Sequence, residues 1–199
     1  MQMVYLSPVP WESIAQRPHF FVKTALQLGF TSVIWVEPTA SRLPKLSDFR
    51  MVLNNTEAHS FTKPKGVEII RTYLLPIESF GQLYDLINFR GLSGISKKIK
   101  TLSDSHETIL VVGKPSKLAL FLLSKNKFKY TVFDIMDDYP FFAQGLSKIN
   151  ISKNLLKIIT QVEHCFFTSD NLLKNTGVPP GEKILSSTRA IKISLILAG

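Results

Sequence analysis

The chain has 199 residues, 45% of them hydrophobic, and carries 24 Lys and Arg against 15 Asp and Glu, a formal net charge of +9. That length suits one α/β domain with a substantial core, and the apolar content excludes intrinsic disorder. A single cysteine, Cys165, excludes an internal disulfide and fits a reducing cytoplasm, while no stretch approaches the roughly 20 apolar residues of a membrane span.

QMVYLS (2–7) reads as a buried first strand, ended by Ser-Pro-Val-Pro. Pro18 suits a first helical turn, Phe20, Phe21, Ala25 and Leu28 recur at helical spacing, and Gly29 sits where a C-terminal cap belongs, which predicts a helix over 17–28. SVIWVEP (32–38) has the unbroken apolar character of a parallel strand stopped by proline, completing a βαβ unit. Residues 39–66 are polar and weakly periodic, with a hairpin expected in FRMVLNN.

VEIIRTYLLP (67–76) predicts a further strand and the segment from Phe80 to Thr101 a helix. ETILVVGKPS (107–116) ends a strand in a glycine turn ahead of the helix KLALFLLS (117–124). KYTVFDIMDDYPFF (129–142) starts as strand and turns acidic at Asp134. NISKNLLKIITQVE has helical period, with Asn150 or Ser152 as its cap; HCFFTSDNLLKN reads as strand then helix, and EKILSS (182–187) as a short last strand. The expected architecture is a single Rossmann-like α/β domain over 1–187, a mostly parallel sheet with helices on both faces, followed by an atypical tail at 188–199.

Lysines cluster in ISKKIK (95–100), SKNKFKY (124–130) and INISKNLLK (149–157). These predict either a solvated helix surface or a face drawn to anionic lipid. No recognition strand, zinc-finger spacing or helix-turn-helix pattern favours nucleic acid.

In an open α/β sheet ligands collect beyond the carboxyl ends of the strands. The loop after the first strand, the turn after LVVG, the DIMDDYP segment and the TSDN turn should therefore face one crevice. Asp134, Asp137 and Asp138 crowd one strand end, where like charges raise a proton affinity and offer a general base; the alternative is that Asp137 or Asp138 caps the next helix. Ser169 and Asp170 stand where a helix cap belongs. The aspartate spacing is weak as a metal signal, and His59, His106 and His164 lack zinc spacing. Neither GxGxxG, GxxxxGK[ST] nor GxSxG occurs; VGKPSK, with Lys114, is the nearest and a poor approach to a phosphate loop.

Four segments in order, W-x5-RPHF (Trp11 to Phe20), VIWVEP, VFDIMDDYPFF and HCFFTSDNLLK, resemble the N-terminal half of bacterial GT-B glycosyltransferases of the family 4-like group that builds capsular, O-antigen and teichuronic-type polysaccharides. The likeness spans about residues 3–175. It implies transfer of a sugar from a nucleotide-sugar donor, with no other cofactor, to a polysaccharide or polyprenyl-linked acceptor at the inner face of the cell membrane. A second donor-binding domain or chain is also implied, and the tail KILSSTRAIKISLILAG reads as a truncated or frameshifted departure from that pattern. By the same matching, Trp11, Gln16, Arg17, His19 and Ser169 would bind substrate, and Asp137, with Asp134 and Asp138, would be catalytic or orient the acceptor; Lys114, outside the matched segments, is a further candidate substrate-binding residue. Arg17 suits a bidentate grip on phosphate or carboxylate, or else pins its loop through backbone carbonyls; Trp11 also suits packing against the loop. Two other classes fit the residues: a non-catalytic glycan- or membrane-binding module, and a flavodoxin-like nucleotide-binding domain.

Overall fold

Runs rich in β-branched and aromatic residues set the strands, and Pro8, Pro38 and Gly113 close three of them. The structure, a computed structural model, describes residues 1–39, 61–103, 107–176 and 184–186. Its elements are β1 (Gln2–Leu6), α1 (Arg17–Gln27), β2 (Ser32–Val36), β3 (Val67–Ile70), a 3₁₀ turn (Glu78–Phe80), α2 (Gln82–Ser103), β4 (Thr108–Val112), α3 (Lys117–Lys125), β5 (Tyr130–Ile135), α4 (Gly145–Gln161), β6 (His164–Phe167), α5 (Asp170–Thr176) and β7 (Ile184–Ser186).

These strands form one sheet in the order β3-β2-β1-β4-β5-β6-β7, and every neighbouring pair is parallel. Val4 at the centre stands between Ile34 and Leu110. The chain winds outward from β1 through β2 and β3, then crosses back to β4 and winds the other way. The order reverses between β1 and β4, which opens a crevice at their carboxyl ends.

Alternate residues of each strand feed two cores. On one face Leu6, Ile34, Leu110, Phe133 and Phe167 meet Tyr84, Leu92, Ile95 and Ile99 of α2, Leu118 and Leu122 of α3, and Leu155 and Ile158 of α4. On the other Met3, Tyr5, Trp35, Val111 and Val132 meet Val22 and Ala25 of α1 with Trp11, Phe30 and Phe61. Helices thus cover both faces, as the pattern implied. No helix among the described residues is long and apolar enough to cross a membrane.

Three boundaries differ from the sequence reading. β3 stops at Ile70, because Asn88 of α2 takes over Leu75, accepting from its N–H (2.8 Å) and donating to its carbonyl (3.1 Å) in place of a neighbouring strand. β5 stops at Ile135, and the acidic residues beyond it form turns. α4 begins at Gly145, so Asn150 lies inside it rather than capping it; its amide donates to the carbonyls of Leu146 (3.0 Å) and Ser79 (2.6 Å), which ties α4 to the 3₁₀ turn. The hairpin expected in FRMVLNN, His59, His106 and the 188–199 tail lie outside the described residues.

Candidate functional site

An open cleft of about 1000 Å³ lies at the switch point. Its wall takes Pro8 and Val9 from the loop after β1, Gln16 and Arg17 from the start of α1, and Lys114 from the loop after β4. Met136, Asp137 and Tyr139 follow β5, Thr168 follows β6, and Phe142, Gln144 and Ser147 lie at or just before the start of α4. The four segments expected to share a crevice do border one cleft or its immediate rim, but not every expected side chain reaches it.

Trp11 and His19 do not. His19 is fully buried and Trp11 almost so. The His19 Nδ1 accepts from the Gln16 N–H (3.1 Å), which leaves Nε2 to carry the proton and donate to the Trp11 carbonyl (3.0 Å). The imidazole also packs at 5.0 Å from Trp35 and 5.4 Å from Phe61, and the Trp11 indole meets Trp35 edge-on at 4.8 Å. With both ring nitrogens engaged and no exposed edge, His19 has nothing to offer a substrate. The two residues instead clamp the loop 11–19 and so present Gln16 and Arg17 to the cleft.

Arg17 is the first residue of α1, and one of its terminal nitrogens donates to Asp134 Oδ1 at 2.8 Å. The alternative in which Arg17 pins its loop through backbone carbonyls is set aside, because its partner is a carboxylate on β5. Its side chain is 48% exposed while that of Asp134 is 2% exposed, so one N–H is anchored below and the rest of the guanidinium is open to the cleft. Asp134 sits on the interior face of β5, two residues after buried Val132. Burial pushes its carboxyl up to about 6, against the opposing pull of Arg17. The raised proton affinity expected for the aspartate trio is present, but its cause is desolvation rather than crowding of like charges. Among the described residues, Asp134 Oδ2 and the Tyr5 hydroxyl are buried without a hydrogen-bond partner.

Asp137 is the carboxylate of the trio on the cleft wall, and it is exposed. Asp138 is half-buried off that wall, where its carbonyl accepts from the Phe141 N–H (2.9 Å). Neither caps α4, whose N-cap position is Gln144. Ser169 is the helix cap its position suggested, its hydroxyl accepting from the Leu172 N–H (3.2 Å) at the start of α5, and Thr168 rather than Ser169 lines the cleft. Among the described residues no three His, Cys, Asp or Glu are grouped to hold a metal.

Lys114 is half-buried in the cleft wall; desolvation lowers its pKa, and the nearby Glu78 carboxylate opposes that. Glu78 is itself buried, accepts from the Lys117 N–H at the start of α3 and from Asn154 of α4 (3.4 Å), and has its pKa raised by desolvation. The Glu78 carboxylate thus offsets part of what burial costs the Lys114 ammonium.

Sequence reasoning took Tyr139 for a packing residue and did not place it in the cleft wall. Its hydroxyl donates to the Gly113 carbonyl, joining the loop after β5 to the loop after β4. Gly113 N–H in turn donates to the Leu6 carbonyl (2.8 Å), and a β-carbon at Gly113 would lie 2.8 Å from Pro8 and 2.9 Å from that carbonyl. A glycine just past a parallel strand, facing a proline loop, is the signal that marks such a close approach. Comparison of the chain with protein-family models and with curated proteins finds no match.

Proposed function

We propose that this domain is the acceptor-side half of a sugar-transfer cleft, in which Arg17 and Lys114 hold a phosphate-bearing substrate and Asp137 orients the acceptor hydroxyl. The observation that supports it is the meeting of two cations and one exposed carboxylate in a single open cleft at the switch point, with Arg17 anchored from beneath. A guanidinium fixed by one N–H keeps its remaining fork for a dianion, and the half-desolvated Lys114 adds a point charge without needing reorientation.

In an inverting transfer the acceptor oxygen attacks the anomeric carbon as the bond to the departing nucleoside diphosphate breaks. The acceptor proton passes to the Asp137 carboxylate, and the charge growing on the leaving phosphate is stabilised by Arg17 and Lys114. A retaining transfer has no need of that base. The donor is a nucleotide sugar, bound in part by a second Rossmann-like domain or chain, and the acceptor is a polysaccharide or polyprenyl-linked saccharide.

Calorimetric titration with inorganic pyrophosphate tests the anion site. Arg17→Ala should weaken binding about ten- to hundredfold, as expected for loss of charge-assisted hydrogen bonds, while Asp137→Asn should not weaken it. Pyrophosphate binding that survives Arg17→Ala unchanged would sink the assignment. Transfer from a panel of nucleotide sugars, with Asp137→Asn slowing turnover about 10²-fold or more, supports inversion; anion and glycan binding without turnover supports the non-catalytic module.

A further inference from the structure

We propose that the outer surface of the α2–α3–α4 layer is a docking face for an anionic lipid membrane. The inference is independent of any reaction in the cleft. These three helices hold nine of the chain's 24 Lys and Arg but one of its 15 Asp and Glu, a net +8 out of the whole chain's +9. The rest of the protein is therefore close to neutral, and its charge is a property of one layer. The single acid, Asp85, is already paired with Lys117 at 2.5 Å. Among the described residues Arg90, Lys97 and Lys153 make no ion pair.

The arrangement of apolar residues separates this layer from an ordinary solvated surface. α2 turns Leu92, Ile95 and Ile99 into the core, and α4 turns Leu155 and Ile158. On the opposite side of α2, Leu86, Arg90 and Lys97 fall on one line at helical spacing; on α4, Ile149, Lys153 and Leu156 do the same. Leu86 is 76% exposed, Ile149 49% and Leu156 50%, with Phe89 57% exposed beside them. Large aliphatic and aromatic side chains set among unpaired cations match a bilayer interface, which offers both acyl chains and anionic headgroups. A nucleic-acid backbone would use the cations but leave Leu86, Ile149 and Leu156 unsatisfied. Favourable alignment with the helix dipoles accounts for Lys100 and Lys125, which stand in last turns, but not for Arg90, Lys97 or Lys153.

The layer also has a direction. The exposed apolar residues Leu83, Leu86 and Ile87 of α2, and Leu146 and Ile149 of α4, lie in the first turns of their helices, at the cleft end of the sheet. Lys97, Lys98 and Lys100 of α2, with Lys157 of α4, lie toward the other end, Lys153 stands mid-helix, and at the cleft end are Lys148 and the Asp85-paired Lys117. A domain resting on this layer would hold its sheet along the membrane and open its cleft sideways at the headgroup level.

Co-sedimentation of the full chain with vesicles tests this directly, without donor or acceptor. Vesicles of phosphatidylcholine with about 30 mol% phosphatidylglycerol should capture it, pure phosphatidylcholine should do so at least about tenfold less, and raising salt from about 0.05 to about 0.5 M should release most of it. Each lysine replaced should lower partitioning about fivefold, so Lys97→Gln, Lys153→Gln and Lys157→Gln together should lower it about a hundredfold. The pair Leu86→Ser and Leu156→Ser should lower it about tenfold, and the set Lys23→Gln, Lys63→Gln and Lys65→Gln, outside the three helices, should not change it. Thermal melts confirm that each variant is folded before it is scored. Equal capture by neutral vesicles, capture that survives the lysine triple, or duplex-DNA binding that the lysine triple abolishes and the leucine pair leaves intact would overturn the proposal.

Discussion

Asp134 poses a contest between burial and pairing that stability against pH can decide. The carboxyl is almost completely inaccessible and, among the described residues, has one hydrogen-bond partner in Arg17 and one orphaned oxygen. Had the ion pair dominated, its pKa would fall below the ordinary value of 3.8; burial dominates and lifts it to about 6. The folded state therefore holds this proton more tightly than the unfolded chain. Between the two values the folded state binds more protons, so stability falls as pH rises, and the loss is complete above the folded pKa. A shift of about 2 pKa units corresponds to about 3 kcal/mol at 25 °C, most of it released between about pH 4 and 6.5.

Asp134→Asn isolates that contribution, because every other titration is shared with the parent. Urea denaturation followed by fluorescence of the buried Trp11 and Trp35 reports both chains at each pH. The parent should lose about 2 to 3 kcal/mol relative to the Asn variant on going from about pH 4 to about pH 8. At the upper end the variant should equal or exceed the parent in stability, yet bind pyrophosphate less well, since a neutral amide anchors Arg17 less firmly. A stability difference that stays constant within about 0.5 kcal/mol across this range, or one in which the parent gains as pH rises, would refute the dominance of burial.

Two further outcomes follow from the walls of the cleft. Gly113→Ala forces a methyl group against Pro8 and the Leu6 carbonyl and should cost about 1 to 3 kcal/mol by urea denaturation, a value below about 0.5 meaning that the two loops are not in close contact. His19→Ala leaves the Gln16 N–H and the Trp11 carbonyl without partners inside an aromatic cluster and should cost about 3 kcal/mol; a cost under about 1, with pyrophosphate binding abolished, would return His19 to the list of ligand-binding residues.

The fold was legible because burial on both faces leaves a simple trace: β1 and β4 are apolar at nearly every position, and the turn residues between elements fix their order. What the sequence concealed is which way polar residues in one motif point. Arg17 and His19 are neighbours in RPHF, and both were read as ligands. Two residues along an α-helix turn the side chain by about 200°, so if Arg17 faces the cleft His19 must face the sheet. The same periodicity argument, at two residues per repeat, puts Asp134 beside Val132 in the interior and frees Asp137 only because β5 has ended two residues earlier.

Tertiary pairing hid the rest. Asn88 reaching back to Leu75, and Tyr139 reaching across to Gly113, depend on partners 13 and 26 residues away, and although Gly113 marks a close approach of backbone, nothing local names the side chain that arrives there. The +8 helical layer is a different case. Six of its eight lysines were visible in three separate runs, but the sum acquires meaning only once the sheet brings α2, α3 and α4 side by side and turns their apolar halves inward. Charge dispersed along the chain then becomes charge gathered on a single surface, with the cleft opening at its apolar end.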